Sequence, residues 1–383
     1  MTDTTPPSTS NESPLQILTS NPETWLKTSL ISVTQLTPSA ISLLLLTTQT
    51  MKTLVRTHGG DNRCAHKILG TLFYEASTRT SLSFQTAMQR LGGSVVHIDA
   101  GKGGNSSAKK GESLSDTVRC VGCYADVVAL RHGDVGSVRT VVETLGKGGC
   151  GKEGGGGGVP VLNAGDGVGE HPTQALLDLF TILEELGLLD QSIGLLNKTN
   201  GLASERSEGK QQPLVIVLLG DLKHGRTVHS LAKLLSRCAV GIHAPIVLKY
   251  CSPPGLEMPQ SVVDYVTEQG GVTQEVVSDE LKTVVQDANV LYVTRIQKER
   301  FESVEEYEKV KGKYVVNAEL LTHAPQTIPG TPNKNSFVVM HPLPRVDEIS
   351  TDIDQDPRAA YFRQMENGMF VRMALLALVL GKA

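Results

Sequence analysis

The chain has no apolar run near the ~18 residues that a bilayer-spanning helix needs, so no membrane role is expected. Its C-terminal run Met373-Ala-Leu-Leu-Ala-Leu-Val-Leu380 is too short for that and reads as a docked helix. No single sign of charge dominates: 36 Lys and Arg stand against 40 Asp and Glu, for a net charge of −4. The cations are dispersed, which argues against a nucleic-acid or membrane surface as partner. Cysteine is sparse, with six thiols scattered at positions 64, 120, 123, 150, 238 and 251. Such scatter in a large chain suggests reduced thiols in a cytosolic protein. Cys120-Val-Gly-Cys123 is a CxxC, but no second pair and no CxxH lies near it, so no metal site is read. Residues 1–20 contain no Arg or Lys and are rich in Ser, Thr, Pro and Asn. Residues 1–22 are therefore expected to be a disordered tail, without the basic character of a secretory or organellar signal.

What is present points to an α/β fold. A length of 383 residues at 39% hydrophobic composition is enough for two domains, each with its own core. Short apolar runs alternate with helical patterns, the signature of parallel sheets. Strands are expected at 67–74, 94–99, 126–131 and 159–163, then at 213–219, 245–250, 272–277, 289–294 and 336–340. Helices are expected between them, including Pro172 to Leu186, Gly225 to Arg237 and Pro259 to Glu268. Two segments look inserted: the mostly glycine stretch Gly146 to Gly158, and the polar, aperiodic stretch Asp190 to Gln212, which is expected on the surface. A further Gly-rich stretch, Gly101 to Gly111, carries Ser106, Lys109 and Lys110. Cations and a hydroxyl between glycine hinges suit a loop that closes over a ligand.

The most informative segment is Phe73-Tyr-Glu-Ala-Ser77-Thr78-Arg79-Thr80. An apolar strand empties into a hydroxyl- and Arg-rich turn, and a helix starts at once, with Phe84, Ala87, Met88 and Leu91 on one face. The turn thus sits at a helix N-terminus, where open N–H groups and the dipole favour an anion. A bidentate guanidinium and three hydroxyls would complete a phosphate cradle that needs neither a Gly-rich loop nor a Walker lysine. Taken alone, these residues suit an ordinary N-cap beside a solvated arginine better than a phosphate site.

The other strand ends tip that balance. Ligands of open parallel sheets bind beyond the carboxyl ends of the strands. Five further strands end in Arg131-His132, in Asn163 to His171-Pro-Thr-Gln174, in Gly220-Asp-Leu-Lys-His-Gly-Arg226-Thr227, in Thr294-Arg295-Ile-Gln297, and in His341-Pro342-Leu343-Pro-Arg345. Arg79, Arg131, Arg226, Arg295 and Lys110 would make a cationic cleft in an acidic chain, suited to a phosphate plus carboxylates. No Ser-His-Asp set and no Cys beside a His stands at these ends. Chemistry by positioning and electrostatics is therefore expected rather than a covalent intermediate. Gly220 to Thr227 falls one residue short of a Walker A motif and carries Arg226 where Lys is required, so it is not read as a nucleotide site.

Ser77-Thr-Arg-Thr80, Lys110-Gly-Glu112, Arg131-His132, His171-Pro-Thr-Gln174, Gly220 to Thr227, Thr294 to Glu299 and His341 to Arg345 together resemble the aspartate carbamoyltransferase family. The likeness runs from about residue 24 to the C-terminus, interrupted by the two inserted segments. It implies two doubly wound parallel-sheet domains with the active site in the cleft between them. Residues 23–171, joined by a C-terminal helix within 356–383, would bind carbamoyl phosphate, and 172–355 would bind aspartate. It further implies transfer of the carbamoyl group to the α-amine of L-aspartate, in de novo pyrimidine (UMP) biosynthesis, with no cofactor or metal. The sister ornithine enzymes carry a Cys and a Ser-Met-Gly loop where this chain has Pro342 and Arg295-Ile-Gln297. Arg226 and Arg295 would repel a second ammonium and attract a side-chain carboxylate.

By the same resemblance, Ser77, Thr78, Arg79, Thr80 and Arg131 hold the phosphate. Thr80, Arg131 and His171 polarise the carbonyl, Arg79, Thr80, Arg131 and His171 forming the catalytic set. Gln174 and the carbonyls of Pro342 and Leu343 orient the carbamoyl nitrogen and the incoming amine. Lys110, Arg226, Arg295 and Gln297, with Leu343, bind aspartate. Ser106, a carbamoyl phosphate ligand, and Lys110 are implied to come from a neighbouring subunit of a cytoplasmic homotrimer. Gly133 stands where family members commonly have Pro, which would loosen the turn after Arg131.

Overall fold

The computed structural model describes residues 15–101, 111–147, 158–198, 212–242, 245–278, 280–296, 313–326 and 336–383. All nine expected strands form. β1 (Ile68–Phe73), β2 (Ser94–Asp99), β3 (Val127–His132) and β4 (Val161–Asp166) make a parallel sheet in the order β2-β1-β3-β4. β5 (Leu214–Leu219), β6 (Ile246–Cys251), β7 (Val272–Val276), β8 (Val290–Val293) and β9 (Val338–Met340) make a second, in the order β7-β6-β5-β8-β9. Each sheet reverses its winding direction beside its first strand, between β1 and β3 and between β5 and β8. Such switch points open a crevice at the carboxyl ends.

The strands are apolar on both faces because both faces are covered. Ile216 and Leu218 pack into one core with the helices toward the middle of the molecule, whereas Val217 and Leu219 pack into another with Leu281, Leu320 and Tyr361. That split is the two-residue alternation of a strand. The first sheet behaves likewise: Leu69 and Val127 face the shared core, and Leu72, Val128 and Leu130 face Val118, Val121 and Val141.

Helix α1 (Pro38–His58) starts with Pro38 after the Thr37 cap, which accepts the Ala40 N–H at 3.2 Å, and stops at Gly59 with φ 79°. Pro near the start and Gly at the end are the usual asymmetry of helix boundaries. Helices α2 (Thr78–Arg90), α3 (Leu114–Tyr124) and α4 (Ser137–Lys147) follow the strands of the first sheet, and α5 (Pro172–Glu185) leaves it. Helices α7 (Arg226–Cys238), α8 (Gln260–Gln269) and the single turn α9 (Leu281–Val284) serve the second. The C-terminal helix Tyr361–Val379 is buried along almost its whole length and packs on α1, α2 and α5. Its second half, Phe370 to Val379, is apolar on every face except at Arg372, as such a central position requires. Lys52 of α1 locks this bundle: its amine lies 2.7 Å from Glu184 and over the rings of Phe180 and Phe370.

Two expectations change. The stretch from Asp190 onward is not wholly an aperiodic surface insertion: Leu189–Lys198 is a helix, α6, whose Ile193 carbonyl accepts the buried Ser42 hydroxyl of α1 at 2.9 Å. Two apolar turns anchored on α1 suffice for it, too short a pattern to stand out in polar sequence. Within residues 15–22, expected to belong to the tail, Leu18 is buried and its backbone bridges to Leu36, with its N–H donating to the Gln35 carbonyl at 2.8 Å. Gly146 and Lys147 end α4, while the rest of the Gly-rich stretch, residues 1–14 and residues 199–211 lie outside the described residues.

Phe370 fills the space between the C-terminal helix and α5. Phe370→Ala is expected to destabilise the protein by about 3–5 kcal/mol, from lost transfer energy plus a cavity. Denaturant unfolding measures this, and a change below about 1 kcal/mol would show that Phe370 does not anchor the C-terminal helix in the shared core.

Candidate active site

A cleft of about 850 Å³ opens at the carboxyl edges of both sheets. Its walls come from the ends of β1, β3, β4, β5, β8 and β9, the six that carried polar groups in the sequence. Ser77, Arg79, Thr80, Arg131, His171, Gln174, Arg226, Arg295, Pro342 and Leu343 all line it. Thr78 does not line it; its side chain is exposed as the first residue of α2. Ser106, Lys110 and Gln297 lie outside the described residues.

Three helices point their N-termini here. Ser77, His171 and Gly225 are the N-caps of α2, α5 and α7, and none caps its helix with a side-chain hydrogen bond. The N–H groups at the start of α2 are therefore open to an anion, whereas α5 begins with Pro172, which has none, and the Arg226 N–H of α7 donates to the His224 carbonyl at 3.0 Å; each dipole still adds partial positive charge. Arginines reinforce them. Arg79 Nη2 donates to the Leu343 carbonyl at 2.8 Å, tying the α2 end to the loop after β9. Arg131 Nη1 donates to the Ala164 carbonyl at 3.2 Å, and Arg226 Nη1 donates to the Gly167 carbonyl. Both guanidinia pass beside Gly165, where φ is 121° and a Cβ would lie 2.9 Å from Arg131 Nη1. Gly220, at φ 112°, lets the end of β5 approach β8, since a Cβ there would stand 2.3 Å from the Thr294 carbonyl oxygen.

Glu75 was not singled out in the sequence. Its Oε2 accepts from Arg226 Nη2 at 3.1 Å and lies 3.3 Å from Arg131 Nη2, so one carboxylate bridges guanidinia from both sheets. Arg372 and Asp178 were also missed. Arg372, in the C-terminal helix, lines the cleft, donates to the Thr173 hydroxyl at 3.2 Å and stacks over Phe84. Each is a charged residue flanked by apolar ones, Leu177 and Leu179 beside Asp178 and Val371 and Met373 beside Arg372, and that incongruity was the available signal.

Burial sets the protonation chemistry. Desolvation, then the neighbouring Arg226, pushes Arg131 down to about 10, and desolvation pushes Arg372 down to about 9. Burial, then the charges of Arg226, Arg131 and Arg372, holds His171 well below the ordinary histidine value, so its imidazole is neutral at physiological pH. Its Nδ1 is buried without a hydrogen-bond partner. Burial raises Asp178 to about 7, although three side-chain donors surround it. Leu343 takes φ 53°, unusual for a residue with a side chain, and is held there by its N–H donating to His341 Nδ1 at 2.7 Å. Backbone strain of that kind costs about 1–3 kcal/mol and gathers at ligand-binding loops. His341 in turn faces Glu348 across 2.8 Å. Arg345 does not reach the cleft; it pairs with Asp354 and Tyr361. The cleft can thus hold an anion at one end, a second anion at the other, and polarise a carbonyl between them.

Comparisons with known proteins agree. Residues 28–184 match the model "Aspartate/ornithine carbamoyltransferase, carbamoyl-P binding domain", and residues 212–379 match "Aspartate/ornithine carbamoyltransferase, Asp/Orn binding domain". The chain is 47% identical over 331 residues to the "Multifunctional protein pyr1-3" of Dictyostelium discoideum, covering 86% of itself but only 12% of that relative. It is 42% identical over 357 residues to the "Aspartate carbamoyltransferase catalytic subunit" of Thermococcus gammatolerans, covering 93% of this chain and 99% of the relative. Among solved structures, the aspartate transcarbamoylase of Trypanosoma cruzi in complex with carbamoyl phosphate superposes with a TM-score of 0.75 at 36% identity, over 93% of this chain and 97% of that one. With both family models matched across the two sheets that form the cleft, the chain belongs to the aspartate/ornithine carbamoyltransferase family.

Proposed function

We propose that this chain transfers the carbamoyl group of carbamoyl phosphate to the α-amine of L-aspartate, giving N-carbamoyl-L-aspartate and phosphate for pyrimidine synthesis. The observation that carries this reading is a cleft lined by Arg79, Arg131, Arg226 and Arg295 where three helix N-termini meet. Family membership and the activities named for the relatives support it.

In this reading residues 23–171, with the helix in 356–383, hold carbamoyl phosphate, and residues 172–355 hold aspartate. The phosphate takes the open N–H groups of α2, the hydroxyls of Ser77, Thr78 and Thr80, and the guanidinia of Arg79 and Arg131. Thr80, Arg131 and neutral His171 donate to the carbonyl oxygen, where charge builds up in the tetrahedral intermediate. A neutral imidazole suits this task, because it offers an N–H without adding another cation to a site already lined by arginines. Gln174 and the carbonyls of Pro342 and Leu343 accept from the carbamoyl nitrogen and align the amine. Arg226, Arg295, Gln297, Lys110 and Leu343 receive the dicarboxylate. The amine nitrogen bonds to the carbonyl carbon, the bond to the phosphate oxygen breaks, and the leaving phosphate accepts the amine proton. Glu75 balances Arg131 and Arg226 across the cleft. Ser106 and Lys110 reach the site from a neighbouring copy of a cytoplasmic homotrimer. Exposed Leu82 at the cleft and exposed Val96 on the edge strand β2 are apolar surface that a subunit contact would cover.

The reading is tested by acceptor choice. Purified protein given carbamoyl phosphate is expected to carbamoylate aspartate and leave ornithine untouched; no product with aspartate would sink it. Subunit sharing has its own measurement. Arg79→Ala is expected to cost on the order of 10²–10³ in kcat/KM, and mixing it with Lys110→Ala chains should restore part of the activity. Mixed assemblies that stay inactive would place every site within one chain. For His171, held neutral by burial, the pH profile of kcat/KM should show no acid limb belonging to it between about pH 6 and 8. An acid limb in that range that vanishes in His171→Asn would contradict a neutral imidazole.

A further inference from the structure

Asp178 is a fully buried acid in α5, on a helix whose neighbouring positions are Leu176, Leu177, Leu179 and Phe180. A carboxylate is tolerated in such a place only if its lone pairs are filled. Three donors fill them: Gln174 Nε2 to Oδ1 at 2.8 Å, Gln364 Nε2 to Oδ1 at 2.7 Å, and Tyr292 Oη to Oδ2 at 2.8 Å. The donors come from α5, the C-terminal helix and β8, and the Arg372 charge offsets that of Asp178.

Two of these donors lead back to the cleft. Gln174 lines it, and Asp178 Oδ1 accepts from the Gln174 and Gln364 amides alike whether or not Oδ2 carries a proton, so Asp178 decides which end of the Gln174 amide turns inward. With Nε2 on Asp178, the carbonyl oxygen is the end that serves the cleft. Gln364 is oriented by the same atom: with its Nε2 on Asp178, its Oε1 accepts the His341 N–H at 2.9 Å. That bond fixes the start of the His341–Pro344 loop, whose Pro342 and Leu343 line the cleft. One carboxylate oxygen therefore orients both a side-chain carbonyl and a backbone loop. What they present together is a set of acceptors. A planar NH₂ group is purely a donor and matches it.

We propose that Asp178 is a positioning residue that makes this end of the cleft acceptor-only and so selects carbamoyl phosphate over acyl phosphates that lack the NH₂. The inference rests on the carbamoyl-transfer reading. If the Gln174 amide turned round, a donor would face the substrate's donors and a carbonyl oxygen would face the Asp178 carboxylate, leaving buried groups unpaired on both sides. Sites built to hydrogen-bond a substrate NH discriminate strongly for that reason.

The test compares dissociation constants of carbamoyl phosphate, acetyl phosphate and inorganic phosphate, by calorimetry, for the wild-type protein and its variants. The wild type is expected to prefer carbamoyl over acetyl phosphate on the order of 10²-fold or more. Asp178→Ala should cut that preference at least about tenfold while inorganic phosphate binding stays within about twofold. Asp178→Asn, whose carbonyl can accept from both glutamines, should restore most of the preference. Retained preference in Asp178→Ala overturns the proposal. So does an equal loss for inorganic phosphate, the mark of a merely structural role, or an Asn variant as poor as the Ala one. If Asp178→Ala does not fold, Gln364→Met carries the test: it keeps the volume and the Gln174 bond but releases the His341 N–H. A drop in preference of about threefold is then expected, and no drop overturns the proposal. A wild type that binds no carbamoyl phosphate refutes the functional reading instead.

Discussion

Crowded positive charge in a partly desolvated cleft is the constraint around which this molecule is arranged. Arg131 comes from the first sheet, Arg226 from the second and Arg372 from the C-terminal helix, and all three act on the same buried imidazole. Like charges this close repel, and removal from water raises the cost of each. Backbone carbonyls of Ala164 and Gly167, together with Glu75, offset part of that cost. The remainder favours an anionic ligand. The same balance joins the two halves, because Glu75 leaves β1 and reaches guanidinia rooted in both sheets. A site able to bind a doubly charged phosphate and a dicarboxylate is thus also a joint between the sheets.

The two ends of the cleft work by different physics. At the end of α2 the recognition is electrostatic, carried by open N–H groups and guanidinia that would take any phosphate-sized anion. Around Gln174 and the loop after β9 the proposed recognition is directional, resting on acceptors whose orientation is set by buried hydrogen bonds rather than by charge. Leu343 belongs to both: its carbonyl accepts from Arg79, and its N–H is held by His341. A shift of that loop would therefore be felt at the anion end as well as at the amide end.

The strands were legible because an element buried on both faces must be apolar throughout, and only short apolar runs bounded by turn residues meet that demand. The site residues at strand ends were legible for a related reason: a parallel sheet brings its carboxyl ends to one edge, so polar groups just beyond six strands have to be neighbours. Glu75 escaped notice because a carboxylate in a predicted cationic cleft looks out of place until two arginines are seen around it. Asp178 and Arg372 escaped because apolar periodicity assigned their helices to the core. Helix α6 escaped because two turns in a polar stretch leave too weak a pattern.

The amino-acid order by itself determined the nine strands and, α6 excepted, the helices between them, that both sheets are parallel, and that hydroxyls and guanidinia follow their ends. These are local consequences of burial pattern and helix-start chemistry, readable within a dozen residues. Only the tertiary structure decided which charges share a carboxylate, that His171 stays neutral, and that one buried acid orients two glutamines 190 positions apart in the numbering, at 174 and 364. Protonation and amide direction depend on what surrounds a group in three dimensions, and those surroundings come from elements that no sequence window contains together.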